Sequence, residues 1–310
     1  MSAGPVRAEA IVCTHLFERL DEMAEAVASL QRQSAHLEQV IVVVDGDTAL
    51  LEAVAAKISN VTLLCTGSRT GLARARNLGI EAARAEAILF LDDDAIAEHR
   101  WAERLLNALE ETSALGASGA SLPVWGRRQP AWLPDAYLWT VGCSYAGMPQ
   151  VPTDVRNVYG GCAGIRRVVF QEVGGFNESL GHAPGEIGGG EEAELCLRAS
   201  MRWPQARFRF EPSAVIHHRV PSSRLQMRYV LSRAFAEGRM KARVSRLRGS
   251  ALGPERQFAL ALPGATARAL TRPFKGDFSG AAEALGLVVL SLAVVAGLVV
   301  GRLRASEPAA

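Results

Sequence analysis

Residues 87–94 read AILFLDDD, five apolar residues followed at once by three aspartates. The apolar run is typical of a buried strand, so the aspartates lie where the chain leaves a sheet. Like charges this close raise each other's pKa, which favours a bound cation such as Mg²⁺ or Mn²⁺. The alternative is an acidic turn or a helix N-cap. Open α/β sheets bind ligands beyond the carboxyl ends of their strands, and this favours a ligand site.

The first 120 residues alternate between short apolar runs and segments with helical spacing. Strands are predicted at 10–14, 40–44, 61–65 and 87–91. Helices are predicted at 20–30, 48–58, 71–84 and 101–109. This alternation indicates an α/β fold with a mostly parallel sheet and helices on both faces. After residue 121, frequent prolines and tryptophans predict a long irregular segment, a common source of substrate loops.

The bulk composition is that of a folded protein, with 49% hydrophobic and 21% charged residues. A formal net charge of +2 gives no general reason to expect a nucleic-acid partner. The 5 cysteines are scattered without a zinc-binding spacing, which is typical of reduced thiols. The first nine residues have no apolar run like that of a signal peptide. We therefore expect a cytoplasmic catalytic domain.

The segment Ala284–Gly301 contains no charged residue. Eighteen helical residues extend roughly 27 Å, about the thickness of a bilayer core. We expect a transmembrane helix, with a buried core helix or a helix lying in the membrane interface as alternatives. The predicted domains are a catalytic domain at 1–220, a basic amphipathic helical region at 221–282, a transmembrane helix at 283–303 and a tail at 304–310.

Three further groups of residues could carry chemistry. Asp45 ends the second predicted strand, where a carboxylate could accept hydrogen bonds from a nucleotide. Glu191 and Glu192 follow a glycine run at a predicted helix start, which suits either an N-terminal charge pair or a general base on a mobile loop. His217 and His218 follow an apolar strand and could bind a metal or a phosphate, or serve only in packing.

Asp45 is followed, in order along the chain, by the motifs GLARARNLGI, FLDDDA, GGCAGIRR, GGFNE, GGGEEAELCLR and VIHHRVP. This ordered set resembles glycosyltransferase family 2, which has the GT-A nucleotide-diphospho-sugar transferase fold. The resemblance covers roughly residues 8–220. The basic segment and the apolar tail are similar to those of members that act on lipid-linked or cell-envelope glycans.

The resemblance implies a role for each matching residue. The donor nucleotide would be bound by Thr14, Asp45, Arg74, Asn77, Asp92 and Asp93. Asp92 and Asp94 would form the DxD pair that holds the metal, with His218 or His217 completing the site. Glu192, beside Glu191, would be the catalytic base.

These inferences predict an inverting, metal-dependent glycosyltransferase that uses Mg²⁺ or Mn²⁺. Its partners would be a nucleotide-diphospho-sugar donor, a lipid-linked or glycan acceptor and a membrane, with no nucleic acid. We expect it at the cytoplasmic face of the cell membrane, anchored by its C-terminal helix. The alternatives are a nucleotidyltransferase that makes a nucleotide sugar, or a non-catalytic sugar-nucleotide or glycan-binding protein. The segment Thr14–Phe17 has no glycine for a phosphate loop, which disfavours the nucleotidyltransferase.

Overall fold

The computed structural model describes residues 6–180, 189–248, 253–272 and 279–303. The chain divides into two compact units. Unit 1 comprises Met1–Leu122, Pro149–Glu186 and Gly190–Arg219, and unit 2 comprises Pro123–Met148, Ile187–Gly189 and Val220–Ala310. Residues 185–188 of the glycine-rich motif and the predicted tail 304–310 lie outside the described residues.

Unit 1 is built on a nine-stranded sheet, whose strand order is β3-β2-β1-β4-β8-β6-β9-β5, with β7 paired to β9. The last residues of β6 and β9 belong to unit 2. The strands are β1 (Ala8–Thr14), β2 (Leu37–Val44), β3 (Thr62–Cys65), β4 (Ala87–Asp92), β5 (Ala95–Ala97), β6 (Gly116–Trp125), β7 (Thr153–Val155), β8 (Cys162–Arg166) and β9 (Phe208–Val220).

The pairing of the strands changes across the sheet. Strands β3, β2, β1 and β4 pair in parallel, joined by the crossover helices that the sequence predicts. Strand β8 pairs antiparallel with β4 and β6, and β9 pairs antiparallel with β5 and β7. The fold is thus mixed α/β. The parallel part brings the carboxyl ends of β1, β2 and β4 to one edge, where Thr14, Asp45 and Asp92–Asp94 lie.

Helices cover both faces of the sheet because side chains alternate along each strand. Ala10, Val42 and Leu89 belong to one apolar cluster, and Ile11 and Val43 belong to the other. Helices α1 (Leu20–Gln31), α2 (Thr48–Lys57) and α4 (Trp101–Glu111) contribute to the first cluster. Helices α3 (Leu72–Ala82), α5 (Arg167–Val173) and α6 (Glu191–Arg202) contribute side chains to the second cluster.

The regular structure in the described part of unit 2 is mainly helical. It contains a 3-10 helix (Asp135–Val141) and the helices α7 (Met227–Arg248), α8 (Gly253–Thr271) and α9 (Ser279–Leu303). Its apolar core includes Leu138, Val230 and Leu290. Among the described residues, α9 alone is long and apolar enough to cross a membrane, judged by length and composition, with a mean hydropathy of 2.6.

Candidate active site

A cluster of possible metal ligands lies where β4 leaves the sheet. One carboxylate oxygen each from Asp92 and Asp94 and one ring nitrogen of His218 lie within 4.8 Å of one another. Asp94 and His218 are buried, whereas the side chain of Asp92 is 37% exposed. Two oxygen donors and one imidazole, open to solvent on one side, form a donor set that fits a divalent ion with room for a further ligand.

The two histidines occupy opposite faces of β9. Because successive strand residues point to opposite sides, only His218 faces Asp94, with Nε2 3.2 Å from Oδ1. His217 points the other way, with Nε2 3.4 Å from Glu98 Oε1. The register of β9 with β5 produces this arrangement, since His218 lies opposite Ala95, the residue next to Asp94. Geometry therefore associates His218, and not His217, with the carboxylate cluster.

Asp93, the middle aspartate of the run, has a cationic partner that the sequence does not reveal. Arg19 ends a 3-10 helix (Phe17–Arg19), and its Nη1 lies 2.7 Å from Asp93 Oδ1 and 3.0 Å from Asp94 Oδ2. Burial lowers the pKa of Arg19, but Asp94 and Asp93 outweigh it and raise the pKa. Burial raises the pKa of Asp93 to about 6, although Arg19 acts in the opposite direction. Arg19 thus offsets part of the charge repulsion within the aspartate run.

A second carboxylate pair lies at the start of α6. Gly190 adopts a left-handed conformation with φ 90° and directly precedes the helix, which begins at Glu191. Glu191 is buried, and its Oε2 accepts no hydrogen bond from the described residues. Burial and the adjacent charge of Glu191 raise the pKa of Glu192 to about 7, with Arg76 acting in the opposite direction. A carboxylate with this pKa is suited to general base catalysis near neutral pH.

Arg76 connects the two carboxylate groups. Its Nη1 donates to Glu192 Oε1 at 2.8 Å and lies 3.3 Å from Glu191 Oε1. Its Nη2 lies 3.6 Å from Asp92 Oδ1. Arg76 is almost fully buried, and its guanidinium lies 5.9 Å from the ring centroid of Phe90. One buried cation therefore fixes the separation between the proposed metal ligand Asp92 and the proposed base Glu192.

Two consecutive glycines leave space for these carboxylates. A Cβ atom at Gly160 would overlap the carboxylate of Glu192, and one at Gly161 would overlap that of Asp92. Both glycines precede β8, which pairs with β4 and so is held beside the aspartates. The GGCAG motif thus has a steric explanation, because any larger side chain at either position would displace a site carboxylate.

Asp45 organises the loop between β3 and α3. Its carboxylate accepts hydrogen bonds from Thr66 Oγ1, from the backbone and side chain of Thr70, and from the Gly71 backbone N–H at 2.8 Å. The backbone N–H of Asp45 donates to the carbonyl of Thr14 at 2.8 Å, so the two predicted nucleotide-binding residues lie side by side. The loop that starts α3 is therefore held at the same sheet edge as the aspartates.

The other two residues expected near the nucleotide lie on α3. Asn77 Nδ2 donates to the carbonyl of Phe176 at 2.9 Å, and its Oδ1 accepts from the Phe176 N–H at 2.8 Å. Arg74 is exposed, and its Nη1 lies 3.5 Å from Glu178 Oε1. Asn77 thus holds the GGFNE segment against α3. Within GLARARN, Arg76 is the arginine that reaches the carboxylates.

Comparison with known proteins relates this site to one family. The model of glycosyl transferase family 2 matches residues 10–174, which contain the aspartate run, Arg76 and both glycines. The chain is 29% identical over 240 residues to the glucosyl-dolichyl phosphate glucuronosyltransferase of Haloferax volcanii, covering 76% of each. It is 29% identical over 205 residues to a pre-mycofactocin glycosyltransferase of Mycobacterium tuberculosis, covering 64% of this chain and 41% of that protein.

A solved structure supports the fold independently. The crystal structure of GalNAc-T7 with UDP, GalNAc and Mn²⁺ superposes with a TM-score of 0.53 at 14% identity. The match covers 83% of this chain and 54% of GalNAc-T7, so the chain spans about half of that protein. The similarity in fold agrees with the GT-A architecture expected from the sequence. Because the family model matches more than half of the chain, the protein belongs to glycosyltransferase family 2 and is a glycosyltransferase.

Proposed function

We propose that the protein is an inverting glycosyltransferase that transfers a sugar from a nucleotide-diphospho-sugar to a hydroxyl acceptor with the help of a divalent ion. The observation that carries this proposal is the pairing of two carboxylate groups by Arg76 at one edge of the sheet. The group that contains Asp92 has the donor atoms of a metal site, and the group that contains Glu192 has a carboxylate suited to act as a general base. A binding protein would not need both.

The metal would be held by Asp92, Asp94 and His218, whose donor atoms fit Mg²⁺ or Mn²⁺. An ion held there would supply Lewis-acid stabilisation of the negative charge on the leaving diphosphate. Arg19 would remain paired with Asp93 and thereby limit the negative charge of the cluster. Thr14 and Asp45, with the loop that starts α3, would form the nucleotide side of the site.

Glu192 would remove the proton from the acceptor hydroxyl as that oxygen attacks the anomeric carbon. Burial and Glu191 keep the pKa of Glu192 near neutrality, so the carboxylate can accept a proton and release it again. Arg76 would position Glu192 through its hydrogen bond. Attack by the acceptor from the face opposite the leaving group, with no carboxylate nucleophile, inverts the anomeric configuration.

We propose a lipid-linked acceptor at the cytoplasmic face of the membrane. The relative from Haloferax volcanii is named for a dolichyl phosphate substrate, and α9 supplies an apolar helix suited to membrane attachment. The five described cysteines are free thiols, as is usual for proteins of the cytoplasm.

Transfer can be tested with purified full-length protein, a panel of nucleotide-diphospho-sugars and polyprenyl-phosphate glycans in detergent micelles. We expect one donor to give a lipid-linked product in Mn²⁺ or Mg²⁺, and no product in EDTA. Proton NMR of the product should show the anomeric configuration opposite to that of the donor. Retention of configuration, or equal turnover in EDTA, would contradict the proposal.

The two histidines provide a matched pair of variants. His218→Ala removes the imidazole next to Asp94 and should raise the Mn²⁺ concentration needed for half-maximal transfer by roughly 10-fold or more, as expected for loss of a metal ligand or its close partner. His217→Ala removes an exposed side chain on the opposite face of β9 and should leave that concentration unchanged. Equal effects of the two substitutions would exclude His218 from the metal site.

A further inference from the structure

Helix α9 presents two apolar faces with different environments. Leu287, Leu290 and Gly297 are buried within unit 2. Along the other face runs a stripe of exposed apolar side chains, formed by Leu285, Val288, Leu292, Val295, Val299 and Leu303. Steps of three or four residues keep these side chains in line over roughly 27 Å of helix. One face of α9 is thus used in folding, and the stripe remains exposed.

The buried face of α9 packs unusually close to α7. A Cβ atom at Gly238 of α7 would overlap the backbone of Val294, and one at Gly297 would overlap the carbonyl of Phe235. Gly301 lies against Ala242 in the same way. Gly297 and Gly301 form a small-xxx-small pattern that permits such backbone contact. Because Phe235 and Ala242 meet Gly297 and Gly301 in the same order, the two helices run parallel.

This packing places charged side chains beside the apolar helix. Glu237, Arg239 and Lys241 lie in the part of α7 that contacts α9, and Glu237 and Lys241 form an ion pair at 3.1 Å. If α9 crossed a bilayer in this packed form, these three side chains would enter the hydrocarbon beside it. Charged groups at that depth are strongly disfavoured unless they face a protein interior or a water-filled cavity. Arg239 is exposed on the surface of unit 2 and so would face lipid. The packed form of the two helices therefore disfavours a spanning orientation.

Helix α7 has an exposed cationic stripe of its own. Arg228, Ser232, Arg239 and Arg243 are all exposed, and their spacing aligns them along one side of the helix. Arginines near a membrane surface are attracted by anionic headgroups. The two packed, parallel helices thus carry one apolar stripe and one cationic stripe. This combination suits a membrane interface, where acyl chains lie on one side of the boundary and headgroup phosphates on the other.

We infer that α7 and α9 bind anionic lipid as one unit that lies in the plane of the membrane interface. The apolar stripe of α9 enters the acyl region, and the arginines of α7 contact headgroup phosphates. This inference rests on the membrane attachment that the proposed function includes. It differs in the orientation of the helix, because the sequence predicts a transmembrane helix at 283–303. Both ends of α9 would remain on the same side of the bilayer.

Depth measurements along the stripe distinguish the two orientations. Single nitroxide labels at positions 285, 288, 292, 295 and 299 of the full chain would be studied on vesicles with phosphatidylglycerol, with signal from native cysteines measured on the unsubstituted chain. An in-plane helix predicts similar collisions with oxygen at all five labels. A spanning helix predicts a maximum at position 292 and a fall towards both ends, which would overturn the inference. Uniform protection from oxygen, together with dimers on cross-linking, would assign the stripe to a second copy of the chain and would also overturn it.

A charge substitution tests the stripe separately from catalysis. Leu292→Asp should lower the partition coefficient for vesicles by roughly 10-fold or more, the scale for losing one buried leucine. Val151→Asp adds the same charge at a comparably exposed apolar residue of unit 1 and should leave binding unchanged. Hydrolysis of the donor sugar nucleotide by both variants should stay near wild type. Unchanged vesicle binding of Leu292→Asp would contradict the inference, whereas absence of donor hydrolysis in the wild-type protein would count against the proposed function alone.

Discussion

Replacement of Asp94 by asparagine is expected to reduce sugar transfer by roughly 10³-fold or more. The substitution preserves the size of the side chain but removes the negative charge from the centre of the cluster. Asp94 is buried and lies beside both Arg19 and His218, so the substitution removes a charge that these two side chains contact directly. A bound metal contributes several kcal/mol of charge stabilisation in the transition state, and this sets the expected scale. Initial rates of product formation at saturating Mn²⁺ measure the effect.

A surface aspartate provides the control for Asp94→Asn. Asp154→Asn alters an exposed carboxylate on β7 that pairs with Arg209 at 3.1 Å. Arg209 lies near the start of β9, at the other end of that strand from His218. Exposed ion pairs contribute little, so this variant should transfer sugar at about the wild-type rate. Near wild-type activity of Asp94→Asn, with an unchanged Mn²⁺ dependence, would show that the metal is held elsewhere.

Glu192→Gln is expected to bind the donor normally and to lose turnover by roughly 10²-fold or more, the scale for losing a general base. In the wild-type protein the base works when it is deprotonated. Since the pKa of Glu192 is raised to about 7, kcat/KM should fall as pH decreases through that value. The glutamine variant should lack this acidic limb. Rates measured from pH 5.5 to 9 test both expectations.

Glu191 and Arg76 make the experiment on the base specific. Glu191→Gln removes the neighbouring charge that raises the pKa of Glu192, so its acidic limb should move to lower pH while turnover persists. Arg76 lies beside both glutamates, and its charge lowers the pKa of Glu192, against the effects of burial and of Glu191. Loss of turnover in Glu191→Gln together with full activity of Glu192→Gln would assign the base to Glu191.

The strand and helix pattern of residues 10–111 could be predicted because each apolar run and each helical repeat is local. The positions of β4 and of the aspartates follow from the same pattern. Predicted and observed bounds differ by a few residues, since the last turn of a helix and the ends of a strand depend on their neighbours. The pairing of the antiparallel strands β8 and β9 is harder to predict from the sequence, because the paired residues are far apart along the chain.

The composition of the site could be predicted only in part. The carboxylates of Asp92, Asp94 and Glu192 stand out as charges beside apolar strands or glycines. The choice between His217 and His218 required the register of β9 with β5. Arg19 and Arg76 were missed because an arginine in a polar segment has many surface uses. Only the fold shows that these two are directed at carboxylates.

Asn77 and the C-terminal helices show a second kind of limit. The motif around Asn77 indicated a place near the nucleotide, but its hydrogen bonds to Phe176 depend on a segment about a hundred residues away. The apolar run in α9 was evident from composition. Its parallel packing on the charged helix α7 was not, because this depends on which glycines face each other. Long-range contacts thus determine how a recognisable motif is used.

Calorimetric binding of a nucleoside diphosphate tests the central claim most directly, namely that the Asp92, Asp94 and His218 cluster couples a divalent ion to the donor. UDP and GDP would be titrated into the wild-type protein, Asp94→Asn and Glu192→Gln, each with Mn²⁺ or with EDTA. We predict that one nucleotide binds the wild-type protein and Glu192→Gln in Mn²⁺, and that this binding is lost in EDTA and in Asp94→Asn. Equal affinity in EDTA, or unchanged Mn²⁺-dependent binding by Asp94→Asn, would contradict the account.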